Sequence, residues 1–304
     1  MWRMFGELPN RLFIRRRGVM LLRALLVTLC LLTLCGTVPG FAVSLNDAPP
    51  EIYTAEEWKA LQFFKDFGLR ELTYQRYLGL FSAPGPFAPT GTETPEDYNS
   101  EAFDRYLIYL YDNPPGIRLN VPLKFQIPDM RYGCELTSMA MLMHYATGID
   151  CSKYDIWEEY RHLFPKDYDP YTPGKLPRNT FFPCHLEPIF ADFGVEAVNL
   201  CGRTFEDVLR FMIFSGRPVI LWSADNYDNP WGHVFVLTGY DPARDRVYYN
   251  DPKYGIRYRG LESLRELTYY MCERDYKECK KLGSEIDPSH IESIDEYLYA
   301  ISYA

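Results

Sequence analysis

The sequence predicts an α+β fold in which a buried helix packs on an antiparallel sheet, with an extra helical segment ahead of it. Three observations predict it. In the stretch Cys134–Tyr145, Leu136, Met139, Ala140 and Met143 recur at the spacing of one helical face, and Gly133 supplies the turn that starts the helix. Two apolar strands, His233–Tyr240 and Arg246–Asn250, flank Asp241-Pro242-Ala243-Arg244-Asp245, whose Pro and Asp residues carry turn chemistry. Residues 43–118 instead show helical spacing with many aromatic residues.

The elements follow in order. Thr54–Phe67, Arg70–Leu80 and Ser100–Tyr111 read as amphipathic helices, the last closed by Asn113-Pro114-Pro115-Gly116. Between them Ser82–Asn99, rich in Pro, Gly and Thr, reads as a loop. Beyond Cys134–Tyr145, Leu186–Phe193 reads as a short helix ended by Gly194, and Val195–Leu200 as a strand. Thr204–Ser215 is a helix with Thr204 as its cap, Asp207 three residues on and Gly216 at its end. Pro218–Trp222 is a buried strand, and Leu261–Leu282 a helix.

The 304 residues carry 47% hydrophobic and 16% aromatic side chains, enough for a sizeable core and unlike a disordered chain. Residues 1–42 read as an export leader: Arg15-Arg16-Arg17, an apolar run from Val19 to Val38 broken by Arg23, and small residues up to Ala42. The unbroken apolar length, Ala24 to Val38, is short of the ~20 residues of a membrane span, so cleavage after Ala42 is preferred to an uncleaved anchor. The expected organisation is a leader at 1–42, a helical segment at 43–118 and a main domain at 119–304. The formal charge of −9 becomes −14 without the leader, which holds six Arg and one Glu. A surface of that sign disfavours nucleic acid as a partner. Six cysteines remain: Cys134, Cys151, Cys184, Cys201, Cys272 and Cys279. Cys184 and Cys201 flank a helix-to-strand unit and could meet, whereas Cys272 and Cys279 are seven residues apart on one expected helix, too far for a bridge. Cys184, His185 and Cys201 lack any C-x-x-C pair, so neither a metal nor a cofactor is expected.

Cys134 stands where a helix start leaves backbone N–H groups unpaired and the helix dipole favours an anion, conditions that lower a thiol pKa. The bland reading is a small core residue. Elimination among the histidines then picks its base. His144 is ten residues along the same helix, ~15 Å away by helical rise. His162 lies in the charged run Glu158-Glu159-Tyr160-Arg161-His162, and His185 and His290 have no motif around them. His233 opens an apolar strand, where a polar ring needs a partner. With the hairpin centred near residue 243, facing residues have numbers totalling about 486, so Asp251 lies opposite Phe235. His233 and Asp251 become diagonal neighbours, ~7–8 Å apart at Cα and within side-chain reach. Gln126, eight residues before Cys134, is placed to complete an oxyanion hole with the Cys134 backbone N–H. Nucleophile, base and orienting acid would thus be Cys134, His233 and Asp251.

Val121-Pro122-Leu123-Lys124-Phe125-Gln126 followed by Gly133-Cys134-Glu135-Leu136-Thr137-Ser138-Met139-Ala140-Met141 resembles the opening of the bacterial peptidase C39-like family, within the papain-like superfamily. Gly216–Trp222, Gly232–Asp241 and Tyr249–Pro252 match its remaining landmarks over roughly 119–304. The resemblance implies a papain-like fold and a cysteine peptidase with the same four residues: Cys134, His233, Asp251 and Gln126. Leader processing by exporter-fused relatives does not carry over, since the chain has no P-loop motif. The expectation is an exported cysteine hydrolase, secreted or on the cell surface, acting on a peptide or protein, with membrane contact only through an uncleaved leader. The alternatives are a papain-like acyltransferase or transglutaminase-like enzyme, a cell-wall amidase, and a catalytically silent surface binding protein on the same scaffold. Stoichiometric thiol labelling and product analysis discriminate among them.

Overall fold

The sheet grows from the expected hairpin. In the computed structural model, which describes residues 50, 52–79, 98–164, 168–171, 183–224, 232–269 and 298–304, β4 (Gly232–Asp241) and β5 (Arg246–Asp251) pair antiparallel around a 3₁₀ turn at Pro242–Arg244. Next to the turn the facing pairs are Tyr240 with Val247 and Gly239 with Tyr248, numbers totalling 487. A bulge between Leu237 and Gly239 then restores 486, with Leu237 facing Tyr249 and Val236 facing Asn250. His233 and Asp251 are therefore diagonal neighbours, as the turn length predicts.

Around this hairpin, β3 (Val219–Ala224) pairs with β4, and β6 (Gly255–Arg259) with β5. β7 (Ala300–Tyr303) inserts between β3 and β2 (Ala197–Asn199). The order is β2-β7-β3-β4-β5-β6, with β1 (Ile117–Arg118) also on β4. The last β3–β4 pair is Val219 with Leu237, and Ile117 takes up the ladder beyond it at Tyr240. That approach requires Gly239: a Cβ there would lie 2.6 Å from the Ile117 carbonyl oxygen.

Helix α4 (Cys134–Thr147) packs against β3 and β4 and ends at Gly148, whose φ is +70°. One buried stripe is expected from its sequence, yet every residue from Cys134 to Met143 is buried. The cover is α5 (Lys153–Tyr160), which the expected elements omit although Ser152 and Asp155 form a reciprocal capping box. Helix α6 (Pro183–Asp192) starts earlier than expected, and the strand after it is shorter. In α7 (Phe205–Ser215) the Thr204 cap is present, but the Asp207 carboxylate turns to the Tyr111 hydroxyl, 2.8 Å away, instead of closing a box. Only 261–269 of the helix α8 expected to reach Leu282 are described.

Residues ahead of the main domain pack on α7. Here α1 (Ala55–Asp66), α2 (Leu69–Gly79) and α3 (Glu101–Asp112) are the three expected helices. Phe64 packs at a tilt against Phe214 with ring centres 4.9 Å apart, and Phe67 meets Phe211 at 5.2 Å. Arg76 donates to the Phe214 carbonyl at 2.5 Å, and the Arg210 guanidinium lies 3.7 Å from the Tyr111 ring centre. Phe63, Phe64, Leu107 and Phe103 are buried with the main core, so this segment and the sheet share one apolar interior. The leader 1–42, most of Ser82–Asn99, Cys272, Cys279, His290 and the Cys184 side chain lie outside the described residues. Among the described residues no helix is long and apolar enough to cross a membrane.

Candidate active site

His233 and Asp251 are joined directly. Imidazole Nε2 lies 2.9 Å from Asp251 Oδ1, and both side chains are more than nine-tenths buried. The same carboxylate oxygen accepts the Lys253 and Tyr254 backbone N–H groups at 2.7 and 3.0 Å, because β5 ends there and the chain turns back into β6. Burial opposes a charge on Asp251, but the His233 hydrogen bond and charge and the two N–H donors outweigh it and hold the carboxyl below its usual range. With Nε2 donating to Asp251, Nδ1 is left as the basic nitrogen.

Cys134 is the first residue of α4 and nearly buried. Its sulfur sits by the backbone N–H of Val234, the neighbour of His233, while Ser138, one turn further along α4, donates to the Val234 carbonyl at 3.3 Å. Two contacts to one residue thus dock the helix start against β4 beside the histidine. The thiol's side-chain partner is unexpected: Sγ lies 3.1 Å from Glu135 Oε2. Among the described residues no hydrogen bond joins Sγ to the imidazole. Burial first, and then the Glu135 charge and hydrogen bond, push the Cys134 thiol well above its ordinary range, against the pull of the Val234 and Glu135 backbone N–H groups. The expected depression by the helix terminus is therefore overridden. A carboxylate in contact with the sulfur in a dry site outweighs the dipole of a single helix end. Tyr168, almost fully buried and donating to the Tyr132 carbonyl at 3.0 Å, is near enough to Cys134 and Glu135 to feel both charges.

Gln126 is held between the turn after Asp251 and the loop before Cys134. Its backbone N–H donates to the Pro252 carbonyl at 2.8 Å, tying it to the turn after Asp251, and Met130, four residues before Cys134, donates back to its carbonyl at 2.9 Å. Lys153, buried on α5, donates to the Phe125 and Gln126 carbonyls at 2.9 and 2.7 Å and so pins the loop. The Gln126 amide Nε2 donates to the Arg131 carbonyl at 2.6 Å, which leaves one N–H for other use, and its Oε1 is buried with no partner among the described residues. Glu135 and Lys153 are contributors that the sequence reading passes over. An acid in the first turn of a helix suits the dipole, and nothing in the local sequence pattern says that this one is buried.

A cysteine thus starts a helix packed on an antiparallel sheet, and the histidine and acid stand on neighbouring strands. Residues 118–279, more than half of the chain, match the Peptidase_C39 like family, and the chain belongs to it. Among solved structures it is similar to a protein of Bacillus anthracis described as a C39-like peptidase, at 21% identity and a TM-score of 0.43 over 62% of this chain and 97% of that one. It is also similar to a double glycine motif protease from an AMS/PCAT transporter, crystallised with its leader peptide, at 18% identity and a TM-score of 0.33 over 50% of this chain and 89% of that one. No curated protein matches.

Proposed function

We propose that the chain is an exported cysteine peptidase in which Cys134 attacks an amide carbonyl. The observation that carries this reading is the buried His233–Asp251 contact at 2.9 Å, one residue along the strand from the N–H that holds the Cys134 sulfur. The family supports a cysteine peptidase type of function.

In this reading the resting thiol is protonated and directed at Glu135. Attack begins when substrate displaces that contact and the S–H proton passes to His233 Nδ1 as the S–C bond forms. Asp251 stabilises the imidazolium across Nε2. The oxyanion is received by the Cys134 backbone N–H and the Gln126 N–H not bonded to Arg131. The imidazolium then protonates the leaving amine, and water attacks the thioester by the same route in reverse. Export rests on the leader at 1–42, and N-terminal sequencing of protein recovered outside the producing cells is expected to find a start at Val43.

The test is a peptide-library digest by the protein together with Cys134→Ala and His233→Ala. Both variants are expected to lose hydrolysis, by a factor of at least 10²–10⁴ for the base. Cleavage that persists in Cys134→Ala removes the assignment.

A further inference from the structure

Beside the His233–Asp251 pair is a cavity of about 250 Å³ walled by Ala224, Phe235, Tyr249, Tyr254 and Leu264 together with Arg257 and Arg259. Strand alternation explains the two arginines. Tyr249 faces Arg257 and Asp251 faces Gly255 across β5 and β6, so residues 255, 257 and 259 project on the same side as Tyr249, Asp251 and His233, while Ile256 and Tyr258 project on the other and are exposed.

Two arginines are among the described lining residues of this cavity. Asp251 is the one carboxylate among its described lining residues, and it is taken up by His233 and two backbone N–H groups. Arg257 is exposed, and among the described residues no carboxylate pairs with it; its guanidinium lies 5.6 Å from the Tyr254 ring centre. Arg259 lies close enough to the Tyr249 hydroxyl to favour its ionised form. The chain as a whole is acidic, with a net charge of −9, so two guanidiniums gathered on one wall depart from its general surface. The volume is below the ~300–1,000 Å³ of pockets for drug-sized ligands, which makes it the size of a side chain or a chain end.

We propose that this cavity binds a carboxylate on the leaving-amine side of the substrate, with Arg257 as the residue that selects it. The proposal rests on the peptidase reading above. His233 must reach the leaving nitrogen to protonate it, so the groups attached to that nitrogen lie against the imidazole, and His233 is itself a wall of the cavity. A guanidinium fork pairs with a carboxylate in two parallel hydrogen bonds, and the Phe235 and Tyr249 rings, 4.4 Å apart, take the apolar part of the residue.

The experiment compares matched peptides carrying Glu, Gln or Lys after the scissile bond, with amidated C-termini, and a further peptide whose only carboxylate is its C-terminus. Wild type is expected to prefer one of the carboxylate peptides over the Gln peptide by about tenfold in kcat/KM, the scale of a hydrogen bond to a charged group. Which of the two is preferred tells whether a side chain or a chain terminus is read. The ratio is expected to collapse in Arg257→Ala, return in part in Arg257→Lys and reverse toward the Lys peptide in Arg257→Glu. Equal rates on all peptides in wild type, or a preference that survives Arg257→Glu, overturn the proposal. Should no peptide be cleaved, calorimetric binding of the same peptides to Cys134→Ala separates the two readings. A carboxylate preference lost in Arg257→Glu keeps the cavity assignment while the peptidase reading falls; equal binding overturns it.

Discussion

At the scale of single residues the site turns on which carboxylate touches what. Asp251 is held charged by His233 and two backbone donors, and Glu135 sits on the sulfur and opposes its ionisation. Glu135→Gln removes a charge and leaves the shape, so the thiol pKa is expected to fall. Iodoacetamide labelling of Cys134 near neutral pH should then rise by roughly tenfold per unit of that fall; labelling at the wild-type rate would show that burial alone protects the thiol. For Asp251→Asn a fall in kcat of about tenfold or more is expected with little change in KM, because Asn favours the wrong imidazole tautomer. An unchanged rate would leave Asp251 a turn residue. The pH dependence follows from the direction of its shift. A carboxyl whose folded pKa lies below the unfolded value of about 3.9 contributes stability that is present above that pH and lost as the pH falls through the folded value. Acid unfolding of wild type is therefore expected to begin at lower pH than that of Asp251→Asn, as circular dichroism would read it.

At the scale of elements the hairpin carries the geometry. Its register was legible because a five-residue turn sets which residues face each other, and the bulge at 238 corrects by one the offset that the 3₁₀ turn introduces. The start of α4 was legible from a glycine before an apolar helical run. The burial of Glu135 was not, because it depends on residues distant in sequence, with Tyr168 near it, and the position of β7 was not, because residues 300–303 reach β2 and β3 from the far end of the chain. Gln126 was singled out by its spacing ahead of the cysteine, whereas its bond to the Arg131 carbonyl depends on a loop conformation that no spacing rule reports. Gly239 is the element-scale test. Gly239→Ala puts a Cβ against the Ile117 carbonyl and is expected to cost about 1–3 kcal/mol in chemical denaturation; a neutral result would mean that β1 moves away freely.

For the whole molecule, the described residues ahead of the main domain, 52–79 and 98–118, pack on α7. None of them lines the cavity beside His233, so among the described residues they do not cover it. Phe64, fully buried against Phe63 and Phe214, is expected to cost about 3–5 kcal/mol as Phe64→Ala while the folded fraction keeps its Cys134 reactivity. A chain beginning near Leu119 should unfold or aggregate, since it would bare Phe211 and Phe214 and lack β1; a stable and active one would make the segment a separate module. The central claim is that Cys134 is a nucleophile driven by His233. It is tested most directly by an acyl-enzyme trap: the protein is mixed with a reactive acyl ester, and the Cys134-bearing peptide is read by mass spectrometry across pH. Wild type is expected to accumulate one acyl group on Cys134 near neutral pH, with His233→Ala acylating at least 10²-fold more slowly. Equal acylation of wild type and His233→Ala, or an acyl group on any residue other than Cys134, would contradict it.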